Sequence, residues 1–329
     1  MAAAVNKPLL IVVVSLAVFA AINIIASALV ALAWRFALIR FAKLTPAARA
    51  ARLVWLRALP TGAALTLTLV IVAPAFAIFE PERASEEVGP ALAMLAIIGA
   101  MQLALALVVA VLTLVRTATV TRAWLRAGTP LDVDPPAGVP AYAIETPAPM
   151  VALVGVIAPK LIAARAVVEV CTDHELAAIV AHERGHLRAR DNLKRWLMAS
   201  APDALRWTRV HREIATSWHA AAEDAADDVA TGGDEGARAD LAALLLKISR
   251  LTPQPVWPRA ATISPFVDRD DLPRRVHRLL APQSGSRPSR VMAPLAIAAT
   301  AAMVTVIATS PASLERVFAV VEMLVALGR

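Results

Sequence analysis

The stretch Thr172-Asp173-His174-Glu175-Leu176-Ala177-Ala178-Ile179-Val180-Ala181-His182-Glu183-Arg184-Gly185-His186-Leu187-Arg188-Ala189-Arg190-Asp191 decides how this chain reads. Thr172 suits a helix N-cap, and Glu175 three residues on completes a capping box. Leu176, Ile179, Val180, Glu183 and Leu187 then recur at helical spacing. The spacing predicts a helix to about Arg190, with the pattern extending through Leu193 to Met198. Within it stands His182-Glu183-Arg184-Gly185-His186. On a helix, residues four apart differ by about 40° around the axis and about 6 Å along it. Both imidazoles therefore face one point, at a spacing that suits two bonds of about 2.0–2.1 Å to one Zn²⁺. Glu183 sits about 100° from His182, beside that point, where it can act as general base. The rival reading is a pair of solvated histidines on a polar face. The apolar Ile179-Val180-Ala181 just before the motif argues against it.

A zinc site needs a third ligand. The downstream candidates are His211, His219, Glu223 and Asp227. A second helix is expected over Ile214–Ala230, rich in alanine and stopped by Gly232-Gly233. Glu223 and Asp227 are four apart and share a face of it. One division makes Glu223 the ligand and lets Asp227 hold a histidine N–H. The rival is an acidic solvated face, since Asp224 and Asp228 are there too. The alanines around Glu223 allow close approach to the first helix. His219 shares Glu223's face and is a candidate for lining the cleft or stabilising an oxyanion. Asp191 is expected either to bridge to Arg188 or to orient the site. His174 reads as solvated, His211 as a surface residue, and Cys171 as a small core residue. Gly185 in mid-helix costs about 1 kcal/mol against alanine. It is read either as loosening the helix or as giving a substrate backbone room beside the metal.

Outward from the motif, composition sets the class. The chain has 329 residues, 58% apolar and only 18% charged, which excludes disorder. A single cysteine excludes a disulfide scaffold. Four apolar blocks are long enough to cross a bilayer, which takes about 20 helical residues. They run over Pro8–Trp34, Pro60–Phe79, Pro90–Val115 and Met292–Thr309. The net charge of +7 is explained by topology and not by nucleic acid. Arg35, Arg40, Lys43, Arg49, Arg52 and Arg57 lie between the first two blocks, and acidic residues lie between the second and third. Basic short loops stay cytoplasmic. The N-terminus is therefore expected outside, the large segment 116–291 inside and the C-terminus outside. The lipid bilayer is the expected partner, with basic clusters at its headgroups. The expected division is 1–115 with three spans, 116–291 cytoplasmic, and 292–329 with the fourth span and a short amphipathic tail, Ala312–Leu327.

Inside the large segment, Leu131–Pro149 holds five prolines and reads as an extended linker that includes Tyr142. Two short strands are expected near Val151–Ile157 and Ala166–Val170. A further helix is expected over Arg238–Leu251, and a short basic one over Leu272–Leu280. The strand before the motif is a candidate to take a peptide as an added strand.

The string Ala181 to Asp191 resembles the active-site helix of the BlaR/MecR-type membrane metallopeptidases. Their downstream Glu-x-x-(Cys/Ala)-Asp is similar to Glu223–Asp227. Val154-Gly155-Val156-Ile157-Ala158-Pro159 resembles the strand entering their catalytic domain, and Arg275-Val276-His277-Arg278-Leu279-Leu280 the segment before their last span. The resemblance implies a mainly α chain of four transmembrane helices with an inserted cytoplasmic gluzincin-like α+β zinc peptidase domain. It also implies one Zn²⁺ on His182, His186 and Glu223, with Glu183 as base, and a protein or peptide substrate. Arg184-Gly185 departs from the family's apolar-plus-small pair, and the extracellular sensor domain has no counterpart here. The HtpX-type quality-control metallopeptidases share motif and membrane setting and are the near alternative. A non-proteolytic signalling scaffold with a structural zinc is the alternative of another class.

Overall fold

A computed structural model describes residues 4–81, 86–131, 138–146, 149–251, 266, 271–281 and 304–327. It is mainly helical. Three helical stretches, Lys7–Phe41, Pro46–Phe79 and Pro90–Ala127, are long and apolar enough to cross a membrane. The first is α1, begun by Asn6, whose side chain accepts from Leu9 N–H at 3.2 Å. The second is α2 (Pro46–Leu67), running through a π turn, Thr68–Val72, into α3 (Ala73–Phe79). The third is α4 (Pro90–Ala127). Arg49, Arg52 and Arg57, expected in a loop, lie on α2, because the helix starts at Pro46 under a Thr45 cap. α1 and α4 cross so closely that a Cβ on Gly99 would stand 2.3 Å from the Leu16 carbonyl oxygen. The proposed fourth span falls outside the described residues up to residue 303. Residues 304–309 are helical, and the last described helix, Pro311–Leu327, sets Phe318 against Phe76 with ring centroids 4.9 Å apart.

At one end of these helices the short strands β1 (Ala4–Val5) and β2 (Glu86–Glu87) pair. Beyond the other end lies a four-stranded sheet, ordered β3 (Thr129–Pro130), β4 (Ala141–Ile144), β6 (Lys160–Ala164), β5 (Val151–Val154). β5 runs antiparallel to β6, with Ala152 opposite Ile162. Two readings are corrected here. The proline-rich linker contains β4, with Tyr142 packed against the core and paired to Ile162. Ala166–Val170 is not a strand but part of a helix, α5 (Arg165–Val170). Val167, Val168 and Cys171 all turn to the core, a helical spacing that alternation cannot give.

Next come α6 (Asp173–Ala189), α7 (Asp191–Ser200), α8 (Arg209–Thr231), α9 (Glu235–Ser249) and α10 (Leu272–Leu280). Both halves of the Thr172/Glu175 capping box are present, at 3.3 and 2.8 Å. Arg190 takes the left-handed conformation, φ 54°, and so ends α6 and turns the chain straight into α7. α8 is seated on both sides. One face packs on α1 and α2 through Trp34, Leu53, Trp218 and Ala222. The other meets α6, where a Cβ on Gly185 would lie 3.0 Å from Ala226 Cα and 3.2 Å from Ala226 Cβ. Close helix approach therefore explains Gly185 better than either expectation from sequence.

Candidate metal centre

α6 and α8 bring His182, His186 and Glu223 together, all buried. The two Nε2 atoms are 3.1 Å apart. Glu223 Oε2 lies 3.5 Å from His182 Nε2, and its Oε1 lies 3.5 Å from His186 Nε2. A tetrahedral ion with bonds of about 2.0–2.1 Å separates its donors by about 3.3–3.4 Å. The three donors thus fit a zinc ion in spacing and in chemistry.

The other ring nitrogens face carboxylates. Asp227 Oδ1 lies 3.0 Å from His182 Nδ1, and Asp191 Oδ2 lies 2.8 Å from His186 Nδ1. Asp191 therefore faces the site and not Arg188. The Arg190 turn is what aims it back. These contacts leave both Nε2 atoms directed at the common point.

The field at that point favours a cation. Burial alone would lower His186, but Glu223 and Asp191 outweigh it and push the imidazole up to about 10. Burial works to raise Glu223, yet His186 and Arg275 hold it well below the ordinary carboxylate range. Glu183 is different. Burial raises it, against the opposing pull of His186 and His182. Its Oε2 accepts from Leu153 N–H on β5 at 3.0 Å, and its Oε1 is buried without a hydrogen-bond partner among the described residues. A carboxyl raised toward neutrality beside the donor set can both accept and return a proton.

Sequence reasoning did not single out four neighbours. Arg275 on α10 is 1% exposed and donates to Asp227 twice, at 2.5 and 3.0 Å. It also stands 3.1 Å from Glu223 Oε2 and donates to Phe266 O at 2.6 Å. Phe266 packs edge-on against the His182 ring at 5.0 Å. Arg195 on α7 places Nη2 3.5 Å from His219 Nδ1, and His219 Nδ1 is 3.7 Å from Glu223 Oε1. Asn192 donates to Leu153 O at 3.0 Å and to Gly155 O at 2.9 Å. The available signal was Arg275, four residues before Leu279, a charge on the apolar stripe of its helix. His211, expected on the surface, accepts from Arg57 Nε at 3.1 Å. His174 is exposed, and Cys171 packs on the core.

β5 is an edge strand, but its outward groups are engaged. Val151 O accepts from Phe266 N–H at 2.8 Å, Leu153 N–H donates to Glu183, and Leu153 O accepts from Asn192. Beside it a cavity of about 390 Å³ opens between Leu153, Gly155, Ile157, His186 and Asn192. No curated protein matches this chain. Residues 135–252, from before β4 to just past α9, match the model of Peptidase family M48, and the match supports a gluzincin-type metallopeptidase.

Proposed function

We propose that the protein is a membrane-embedded zinc endopeptidase that hydrolyses peptide bonds of cytosolic or membrane proteins at the cytoplasmic face. The observation that carries this reading is the placement of His182, His186 and Glu223 with donor atoms 3.1–3.5 Å apart and Glu183 alongside. Three protein donors among the described residues leave a tetrahedral ion one open position, the arrangement of catalytic sites. This supports hydrolysis over the structural-zinc scaffold. Three long apolar helices before the motif support the BlaR/MecR-type order of elements. The basic stretch from Arg35 to Arg57 supports a cytoplasmic site.

In this mechanism His182, His186 and Glu223 would hold zinc, which would supply Lewis acidity and a water acidified toward neutral pH. Glu183 takes the proton of the attacking water and returns it to the leaving amine. Its burial keeps its affinity for that proton high. Asp227 and Asp191 back the two rings, and Arg275 neutralises Asp227 and Glu223. The Arg195–His219 pair flanks Glu223 on the side of α7 and α8 and is placed to meet developing negative charge. The cavity beside His186 accepts a substrate side chain. The test is Glu183→Gln, which should abolish proteolysis while one zinc per chain is retained. Activity that survives the substitution refutes the mechanism.

A further inference from the structure

A second cavity, of about 510 Å³, lies away from the metal centre, between α1, α4 and the segment that joins α7 to α8. Ile24, Met101, Gln102 and Leu105 form its helical walls, and Arg206 and Trp207 stand at its mouth. Its level along the helices can be counted. Lys7 Nζ donates to Glu80 O at 2.6 Å, and β1 pairs with β2 just before Pro90. Lys7, Glu80 and Pro90 thus mark one end of the bundle. A bilayer core takes about 20 helical residues to cross. Counting inward from that end reaches about Ser27 on α1, about Pro60 on α2 and about Ala110 on α4.

The joining segment sits at that second boundary. Trp196 Nε1 donates to Ala110 O at 3.1 Å. Asn23 Nδ2 donates to Pro202 O at 2.9 Å, and Asn23 Oδ1 accepts from Ala204 N–H at 3.1 Å. Arg57 pairs with buried Asp203, which also accepts from Thr61 Oγ1 at 3.2 Å. Two guanidinium groups, Arg57 and Arg206, stand near this one carboxylate. Arg57 takes it. Arg206 donates to Ala199 O and has no carboxylate at ion-pair distance among the described residues. A positive charge is left over at the mouth of an apolar crevice. Trp207 beside it is 74% exposed, as an interfacial anchor would be.

The lining decides the occupant. Apolar side chains wall the crevice and Arg206 supplies a cation among them, which suits an extended apolar chain with an anionic head. A guanidinium matches phosphate geometry in fork fashion. We propose that this cavity binds an anionic phospholipid, its phosphate on Arg206 and one acyl chain between α1 and α4. The proposal rests on the chain crossing a bilayer and not on peptidase activity.

The test uses the full chain in phosphatidylcholine vesicles that carry rising fractions of brominated phosphatidylglycerol or brominated phosphatidylcholine. Quenching at Trp207 is read as the difference between the wild type and Trp207→Phe. Half-maximal quenching is expected at a mole fraction about tenfold lower for phosphatidylglycerol. Arg206→Gln should remove that preference, Arg206→Lys should restore part of it, and Ala106→Phe, which fills the cavity, should remove it with Arg206 intact. Inorganic phosphate should leave quenching unchanged. Equal quenching by both lipids in the wild type, or a preference that survives Arg206→Gln or Ala106→Phe, overturns the proposal. Displacement by inorganic phosphate overturns it too, by showing a free-anion site.

Discussion

Arg275 clasps Asp227 through Nη2–Oδ1 and Nε–Oδ2 hydrogen bonds of 2.5 and 3.0 Å, while Asp227 stands 3.0 Å from His182 Nδ1. The short helix α10 thereby reaches the metal centre, although it lies outside the stretch that matches the peptidase family. Removing one partner of a buried ion pair costs about 3–5 kcal/mol, because the other charge stays buried. Losing the carboxylate that orients a ligating histidine weakens metal affinity by about 10–100-fold. Arg275→Met should do the first and, by letting Asp227 shift from His182, part of the second, and Arg275→Lys, which keeps the charge but not the fork, should fall between. Zinc-competition titration and thermal unfolding check this. Unchanged zinc affinity in Arg275→Met would show that Asp227 holds His182 unaided.

His186 gives a pH prediction with a definite sign. Its imidazole is pushed up to about 10 by Glu223 and Asp191 against the effect of burial. Below that value the metal-free ring carries a proton, and zinc needs the neutral ring. Zinc binding at pH 7.5 should therefore release a proton, and apparent affinity should rise about tenfold per pH unit between about pH 7 and 9. Calorimetry in buffers of different ionisation enthalpy measures the proton. Binding heat that is independent of the buffer contradicts the assignment.

Gly185 opposes two effects of known size. Alanine in mid-helix gains about 1 kcal/mol over glycine. Here its Cβ would stand 3.0 Å from backbone Ala226 Cα, so α6 and α8 must part. Overpacking of that kind costs about 1–3 kcal/mol. Gly185→Ala should be net destabilising, and Gly185→Leu much more so, with zinc affinity lost in step because the same helices carry the three donors. Chemical denaturation decides the sign.

Asn192 occupies Leu153 O on the outer edge of β5 and Gly155 O just past its end. A peptide added as a strand competes for that edge. Asn192→Ala should lower KM for peptides and leave kcat little changed, at a stability cost of about 1–2 kcal/mol for the two lost bonds. A raised KM would mean instead that the amide holds the substrate.

How much of this was legible in the sequence follows from where each signal lives. Thr172 and Glu175 act within one turn, and helical spacing pairs His182 with His186 and Glu223 with Asp227, but only the family resemblance implied that the two pairs meet. The breaks came where short segments depend on distant partners. Ala166–Val170 is as rich in valine as a strand, but the place beside β6 is filled by β4 and β5, so it coils instead. β4 hides among prolines, because its strand character comes from its pairing with Leu161–Ala164. Asn192 and Phe266 reach the site only through tertiary packing, with no spacing to announce them, and Arg275 shows in the sequence only as a charge on an apolar stripe. Gly185 is explained only by Ala226 on another helix.

The most direct measurement is the zinc content of purified, dialysed protein beside that of His182→Ala, His186→Ala and Glu223→Ala. One equivalent of tightly held zinc is expected in the wild type, with loss from each variant. Full zinc retention by Glu223→Ala, with the fold intact, would contradict the three-residue centre on which the whole account stands.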